Sequence, residues 1–280
     1  MDTKQLALTA AKARLLGLDM VYGAASGHLG GSFSAMDLLT VLYQNVMQVD
    51  PADPSDPDRD RFVLSKGHCT PALYPTLALR GYFPTEELKL FRSVNGHMSG
   101  HAEMHHVKGV DMSTGSLGQG ISAACGMALG AKHAGKPINV YTIVGDGEVE
   151  EGECWEAFMF AAHYGLSNLC VVLDRNHLQI DGTTETVMNS APLEEKLKAF
   201  NFNVVTIDGH DYDQIEAAMQ AFHAETVKPT CIIMDTTKGK GVSYMTNSVD
   251  WHGKGPNDDE YKIAIEELNA AYAALEQEEN

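Results

Sequence analysis

Four short, β-branched apolar runs stand out along the chain: 139–144 (NVYTIV), 168–173 (NLCVVL), 203–207 (NVVTI) and 230–235 (TCIIMD). Runs this short and this uniformly apolar read as strands buried on both faces. Between them the apolar positions repeat at helical spacing. Trp155, Phe158, Met159 and Ala162 mark a helix over 152–164, and Ile215, Met219 and Phe222 mark another over 212–225. Strands alternating with helices make βαβ units, and so an α/β fold with a mostly parallel sheet and helices on both faces. The first 135 residues read as mainly helical, over 3–22, 34–47, 70–79, 85–91 and 117–134. Tyr261, Ile265, Leu268, Tyr272 and Leu275 share one face of a closing amphipathic helix. No repeat, low-complexity segment or Gly/Ser-rich linker divides the chain, so residues 1–280 are expected to form one domain.

Composition narrows the partners. Twenty Lys and Arg against 38 Asp and Glu leave a formal charge of −18. That balance argues against nucleic acid or an anionic membrane surface, which are read with clustered bases. No apolar run approaches the length of a membrane span, and the opening MDTKQLALTAAKARLL is an amphipathic helix rather than a signal peptide. The charge concentrates in three runs, at 50–60, 146–156 and 258–280. The first and last read as solvated surface. Five cysteines, odd in number, far apart and without a C-x-x-C pair, predict no disulfide framework and a reducing, cytoplasmic setting.

The middle acidic run carries chemistry. Gly145-Asp146-Gly147 follows the first strand and Asp174-Arg175-Asn176-His177-Leu178 follows the second. One helix and one strand separate them, so a right-handed crossover brings Asp146 and Asn176 to the same edge of the sheet, where open parallel sheets bind ligands. A carboxylate, an amide oxygen and a nearby carbonyl are hard ligands suited to Mg²⁺ or Ca²⁺ with phosphate oxygens. The glycines let backbone N–H groups approach a phosphate.

G-D-G, some thirty residues, then Asn at the end of an apolar strand resembles the thiamin diphosphate fingerprint. The resemblance implies Mg²⁺, with Ca²⁺ or Mn²⁺ as substitutes, held by Asp146, Asn176 and the main-chain carbonyl of Leu178 against the cofactor's diphosphate. Further motifs resemble the amino-terminal half of transketolase, in order from about residue 5 to 260. They are Ser26-Gly27-His28-Leu29-Gly30-Gly31-Ser32, Ser65-Lys66-Gly67-His68, Gly100-His101-Ala102-Glu103, Thr114-Gly115-Ser116-Leu117-Gly118-Gln119-Gly120, Lys238-Gly239-Lys240-Gly241 and Trp251-His252-Gly253. Two departures stand, GHLG for GHPG and GHAE for GHPE. The former is associated with transketolases split into two polypeptides.

Imidazoles beside glycines can be turned into a crowded site, and near neutrality they donate, accept or relay protons. The resemblance places His28, His68, His101 and His252 around the thiazolium and the donor hydroxyls, with His68 and His252 also touching the phosphates. Gly115, Ser116 and Leu117 open a small-residue helix and by resemblance give backbone contacts to the cofactor, as does Gly147 beside Asp146. Glu151 occupies a position that in transketolases lies at the subunit interface in a chain of acids linking active sites, with Glu156 a weaker counterpart. His133, His163, His177, His210 and His223 read as ordinary surface or core residues. A rival zinc site at His97, His101, His105 and His106 needs a helix that Gly96 and Gly100 disfavour.

The implied activity is transfer of a two-carbon ketol unit from a ketose phosphate to an aldose phosphate, such as xylulose 5-phosphate to ribose 5-phosphate. In the family, the glutamate and aromatics that activate thiamin and the bases gripping the sugar phosphate lie in further domains. The resemblance therefore implies the amino-terminal subunit of a two-chain enzyme, completed by a pyrimidine-binding partner in an α₂β₂ assembly. Alternatives are a deoxyxylulose-phosphate synthase-like protein, a 2-oxo-acid dehydrogenase α chain, a transketolase for an unusual sugar, and a non-catalytic paralogue.

Overall fold

In the computed structural model of the chain, which describes residues 1–277, three of the four apolar runs occupy the middle of a five-stranded sheet. The run at 203–207 instead forms an edge strand that is only partly buried, not covered on both faces as expected. The strands are β1 (Arg61–Leu64), β2 (Val140–Gly145), β3 (Leu169–Arg175), β4 (Asn203–Asp208) and β5 (Thr230–Asp235). They lie in the order β1-β2-β3-β5-β4, and every pairing is parallel. The helices are α1 (Thr3–Ala24), α2 (Leu29–Val41), α3 (Thr70–Arg80), α4 (Gln119–His133), α5 (Gly152–His163), α6 (Thr184–Val187), α7 (Leu193–Ala199), α8 (Tyr212–Ala224) and α9 (Asp258–Gln277).

Alternate residues of the central strands enter two separate cores, as the two-residue period of a strand demands. Tyr141, Ile143, Cys170, Val172, Ile232 and Met234 pack with α1, α2, α3, α8 and α9. Val140, Val144, Val171, Leu173, Cys231 and Ile233 pack on the other face with α4, α5 and α7. Helices therefore cover both faces, and the apolar runs needed no polar alternation. All five cysteines are buried and unpaired.

Sequence pattern missed β1, whose four residues follow an Asp/Pro-rich segment and offer too short a run to register a period. It also missed α7 and the one-turn α6. The helix expected from residue 34 begins at Leu29, because Gly30, Gly31 and Ser32 are helical despite reading as a loop. All thirteen residues of α2 are buried, and its last turn widens into a π-turn over Leu42–Val46. Residues 85–90 form a 3₁₀ rather than an α-helix.

Asp2 caps α1, accepting from Gln5 N at 2.8 Å while Gln5 Oε1 accepts from Asp2 N at 3.3 Å. Tyr261 of α9 stacks on Tyr22 of α1 with ring centroids 3.9 Å apart. The outer acidic runs are mostly solvated, with one exception. Asp60 is buried and accepts from Gln48 N and Asn139 N at 2.9 Å each, tying the run to the start of the sheet. Residues 278–280, the end of the last acidic run, lie outside the described residues. No described helix is long and apolar enough to cross a membrane.

Candidate active site

Parallel strands end together, and the segments following β1, β2, β3 and β5 meet the start of α2 above one edge of the sheet. They enclose a cleft of ≈ 390 Å³ lined by His28, His68, His101, His252, Gly115, Leu117, Asp146, Gly147, Glu151, Asn176 and Leu178. These are the site residues expected from sequence except Ser116, which is exposed between two lining residues and outside the lining.

The floor is organised by an acid that sequence pattern did not single out. Asp174, fully buried near the end of β3, pairs with Lys66 and accepts from Ser34 Oγ at 2.7 Å and from Thr236 Oγ1. One carboxylate thus joins α2, the segment after β1 and the segment after β5. Burial opposes its charge, yet Lys66 and the two hydroxyl donors hold it below the usual carboxylate range. Glu148 is a second tie: Ser65 Oγ donates to it at 2.5 Å, Gly118 N at 3.0 Å and Gly145 N at 3.1 Å. It fixes the glycine-rich loop before α4 against the turn after β2. Within 146–156, then, Asp146 and Glu148 are buried while Glu151 and Glu156 are exposed.

Asp146 stands beside this frame. Its Oδ2 accepts from His177 N at 2.6 Å and its Oδ1 from Gly147 N at 3.1 Å. The β2–β3 register, Gly145 opposite Asp174, brings it within one residue of level with Asn176, whose Oδ1 accepts from Leu178 N at 3.2 Å. Burial, then the charge of Asp174, push Asp146 up to about 7. A carboxylate with its neighbouring lysine already committed to another acid lacks positive charge. A divalent cation would supply that charge, and the donor set of one carboxylate, one amide and backbone oxygen is of the kind that fits Mg²⁺. The surroundings suit a diphosphate as well. A Cβ at Gly67 would lie 2.5 Å from Thr114 Oγ1 and 2.7 Å from Gly115 N, so only glycine lets the S-K-G-H turn close on that loop.

The four Gly-linked histidines converge. Ring centroids of His28 lie 5.1 Å from His68, 5.7 Å from His101 and 5.5 Å from His252, and His68 lies 5.0 Å from His252. Burial, then the charge of Arg92, brings His28 down to about 4, and burial, then Lys238, brings His252 down to about 3. His68 falls well below its usual value through burial and Lys66, and His101 falls through burial and Arg92. All four are neutral near pH 7, so each ring carries one donor and one acceptor nitrogen. Lys238 Nζ is 3.3 Å from His252 Nδ1, and burial with Lys66 nearby lowers it to about 8.

Lys66 and Lys238 were visible inside S-K-G-H and K-G-K-G; a lysine followed by a glycine just past a strand is the signal that could have marked them. The rival zinc set disperses: His97 pairs with Glu87 at 3.0 Å, His106 with Glu103 at 2.6 Å, and His101 joins the cleft. Among the described residues no group of three or more His, Cys, Asp or Glu could hold a metal. His223 bonds Tyr141 Oη at 2.9 Å and His210 bonds Asp37, both outside the cleft.

Comparison with known proteins agrees with this geometry. Residues 5–274 match the family described as transketolase, thiamine diphosphate binding domain. The chain is 44% identical over 255 residues to a 6-deoxy-6-sulfo-D-fructose transketolase subunit of Clostridium sp. (strain MSTE9), covering 91% of this chain and 93% of that protein. It is 39% identical to one of the subunits of apulose-4-phosphate transketolase from Phocaeicola vulgatus, covering 100% and 99%. Transketolase from Campylobacter jejuni superposes with a TM-score of 0.90 at 32% identity, over 98% of this chain and 46% of that one. The chain thus spans about half the length of the solved transketolases it matches. It belongs to the transketolase family, as a thiamine diphosphate-binding domain.

Proposed function

We propose that the chain is the thiamin diphosphate- and Mg²⁺-binding subunit of a two-chain, cytoplasmic transketolase that moves a two-carbon ketol unit between anionic sugars. The observation that carries this reading is the convergence of four neutral imidazoles over a floor holding Asp146 and Asn176. Asp146, Asn176 and the carbonyl of Leu178 would hold the metal, and Gly115, Ser116, Leu117, Gly147, His68 and His252 would hold the cofactor.

Bound thiamin diphosphate supplies the carbon nucleophile and electron sink for breaking and remaking a ketose carbon–carbon bond. The chain's own residues then have defined tasks. The acceptor nitrogens of His28, His68, His101 and His252 take a proton from a sugar hydroxyl, and their donor nitrogens bond a developing alkoxide. Their depressed basicity makes a proton once taken easy to release. Crowded rings and apolar Leu117 and Leu178 keep water from the reacting carbon.

A partner chain carrying the pyrimidine-binding and carboxyl-terminal domains completes the site in an α₂β₂ assembly, with residues 1–280 forming the single diphosphate-binding domain. Relatives of the same length being named subunits supports this division. Glu151, exposed on the lip of the cleft at the start of α5, would meet that partner. The relatives' named substrates favour an anionic ketose outside the common pentose phosphates as the donor. The test mixes the chain with its partner and follows ketol transfer from 6-phosphate and 6-sulfonate ketoses. Turnover should require both chains, thiamin diphosphate and Mg²⁺; turnover by this chain alone would sink the division.

A further inference from the structure

At the mouth of the cleft, outside its lining, a cation stands without an acid to neutralise it. Arg92 is exposed, and among the described residues no carboxylate lies within ion-pairing distance of it. Its guanidinium donates from Nη1 to Ser26 Oγ at 3.1 Å. Of the deeper cations, Lys66 is paired with Asp174, and Lys238 is buried against the neutral ring of His252. In a chain carrying −18, an uncompensated guanidinium beside the site is out of keeping with its surroundings.

Its placement is fixed from several sides. Arg92 adopts a left-handed φ of 52°, uncommon for a long side chain. Its N–H donates to Met98 O at 2.8 Å, closing the loop 92–98. The guanidinium carbon lies 5.5 Å from the centroid of the Phe91 ring. Gly100 is bare where the side chain passes, since a Cβ there would sit 2.3 Å from Arg92 Cζ. Gly100 precedes His101 and Ser26 stands two residues before His28. The charge therefore sits beside those two imidazoles and, after burial, contributes to lowering both.

We propose that Arg92 is a specificity-determining contact for the oxyanion end, phosphate or sulfonate, of the sugar that enters the cleft. A planar guanidinium offers paired donors matched to such oxygens, which a lysine ammonium does not. The inference rests on the ketol-transfer reading above and assigns part of substrate recognition to this chain rather than to its partner.

The test compares kcat/KM of the assembled two-chain enzyme for a 6-phosphate ketose, its 6-sulfonate counterpart and neutral erythrulose, with glycolaldehyde as acceptor. In Arg92→Ala the ratio of anionic to neutral donor should fall about tenfold or more, the loss carried mainly by KM. Arg92→Lys should restore part of it. A fall for only one anionic donor identifies that oxyanion as the one read. An unchanged ratio overturns the proposal, as does loss of assembly with the partner by sedimentation, which would make Arg92 an interface residue. No turnover of any ketose by the wild-type assembly overturns both readings, whereas turnover with an unchanged ratio overturns this one alone.

Discussion

The protein buries two carboxylates at opposite ends of electrostatic provision. Asp37, on α2, is 1% exposed and surrounded by donors: Arg14 Nη1 and Nη2 at 2.9 and 2.7 Å, Tyr212 Oη at 2.7 Å, His210 Nδ1 at 2.8 Å and Lys240 Nζ at 3.3 Å. Burial opposes its charge, but Arg14, His210 and Lys240 hold it well below the usual range. Asp146, 3% exposed, receives only two backbone N–H groups and is pushed up to about 7 by burial and Asp174. The first is a finished structural joint. The second is short of positive charge where a metal and an anionic cofactor would bind, and that shortage separates a functional carboxylate from a structural one.

Three measurements can break or sharpen this contrast. The largest effect is expected at the saturated acid: Asp37→Ala leaves Arg14 buried without its partner and should cost about 3–5 kcal/mol in urea unfolding. A loss below about 1 kcal/mol would mean the network is replaceable by water. Asp146→Ala should behave in the opposite way, leaving the stability of the unliganded chain unchanged or higher, while affinity for thiamin diphosphate with Mg²⁺ drops about 100-fold by calorimetry. Equal affinity in the variant removes Asp146 from the metal site.

The smallest effect concerns pH. His28 titrates near 4 when folded and near its ordinary 6.5 when unfolded, so the unfolded chain binds more protons between those values. Stability of the unliganded chain should therefore fall as pH drops from about 6.5 to 4, and His28→Phe should flatten the slope of the unfolding midpoint across that window. An unaltered slope would place the imidazole in water rather than in the buried cluster.

What sequence could reveal followed from how local each signal is. Asp146 and Asn176 were legible because each ends an apolar strand, and the four histidines because each sits beside a glycine. The covering of both sheet faces was legible in strands that lack polar alternation. Asp37 and Asp174 were not. Their basic partners Arg14 and Lys66 lie 23 and 108 residues away along the chain, and nothing local distinguishes either acid from a surface residue. Glu148 was hidden for a related reason, inside an acidic run whose start at a helix is sufficient to explain it. Strand β1 escaped because four residues are too few to show a period, though Lys66 and His68 follow directly from it.

Asp174 carries a consequence for how a ligand is met. By gathering Ser34, Lys66 and Thr236 from three distant segments, it sets the spacing of the cleft floor by covalent fold and buried charge alone. Ordering of those segments takes place when the chain folds, so an incoming diphosphate has little left to organise beneath it. Binding there should resemble a key entering a cut lock, with conformational adjustment confined to the exposed lip around Glu151 and the loop at 92–98.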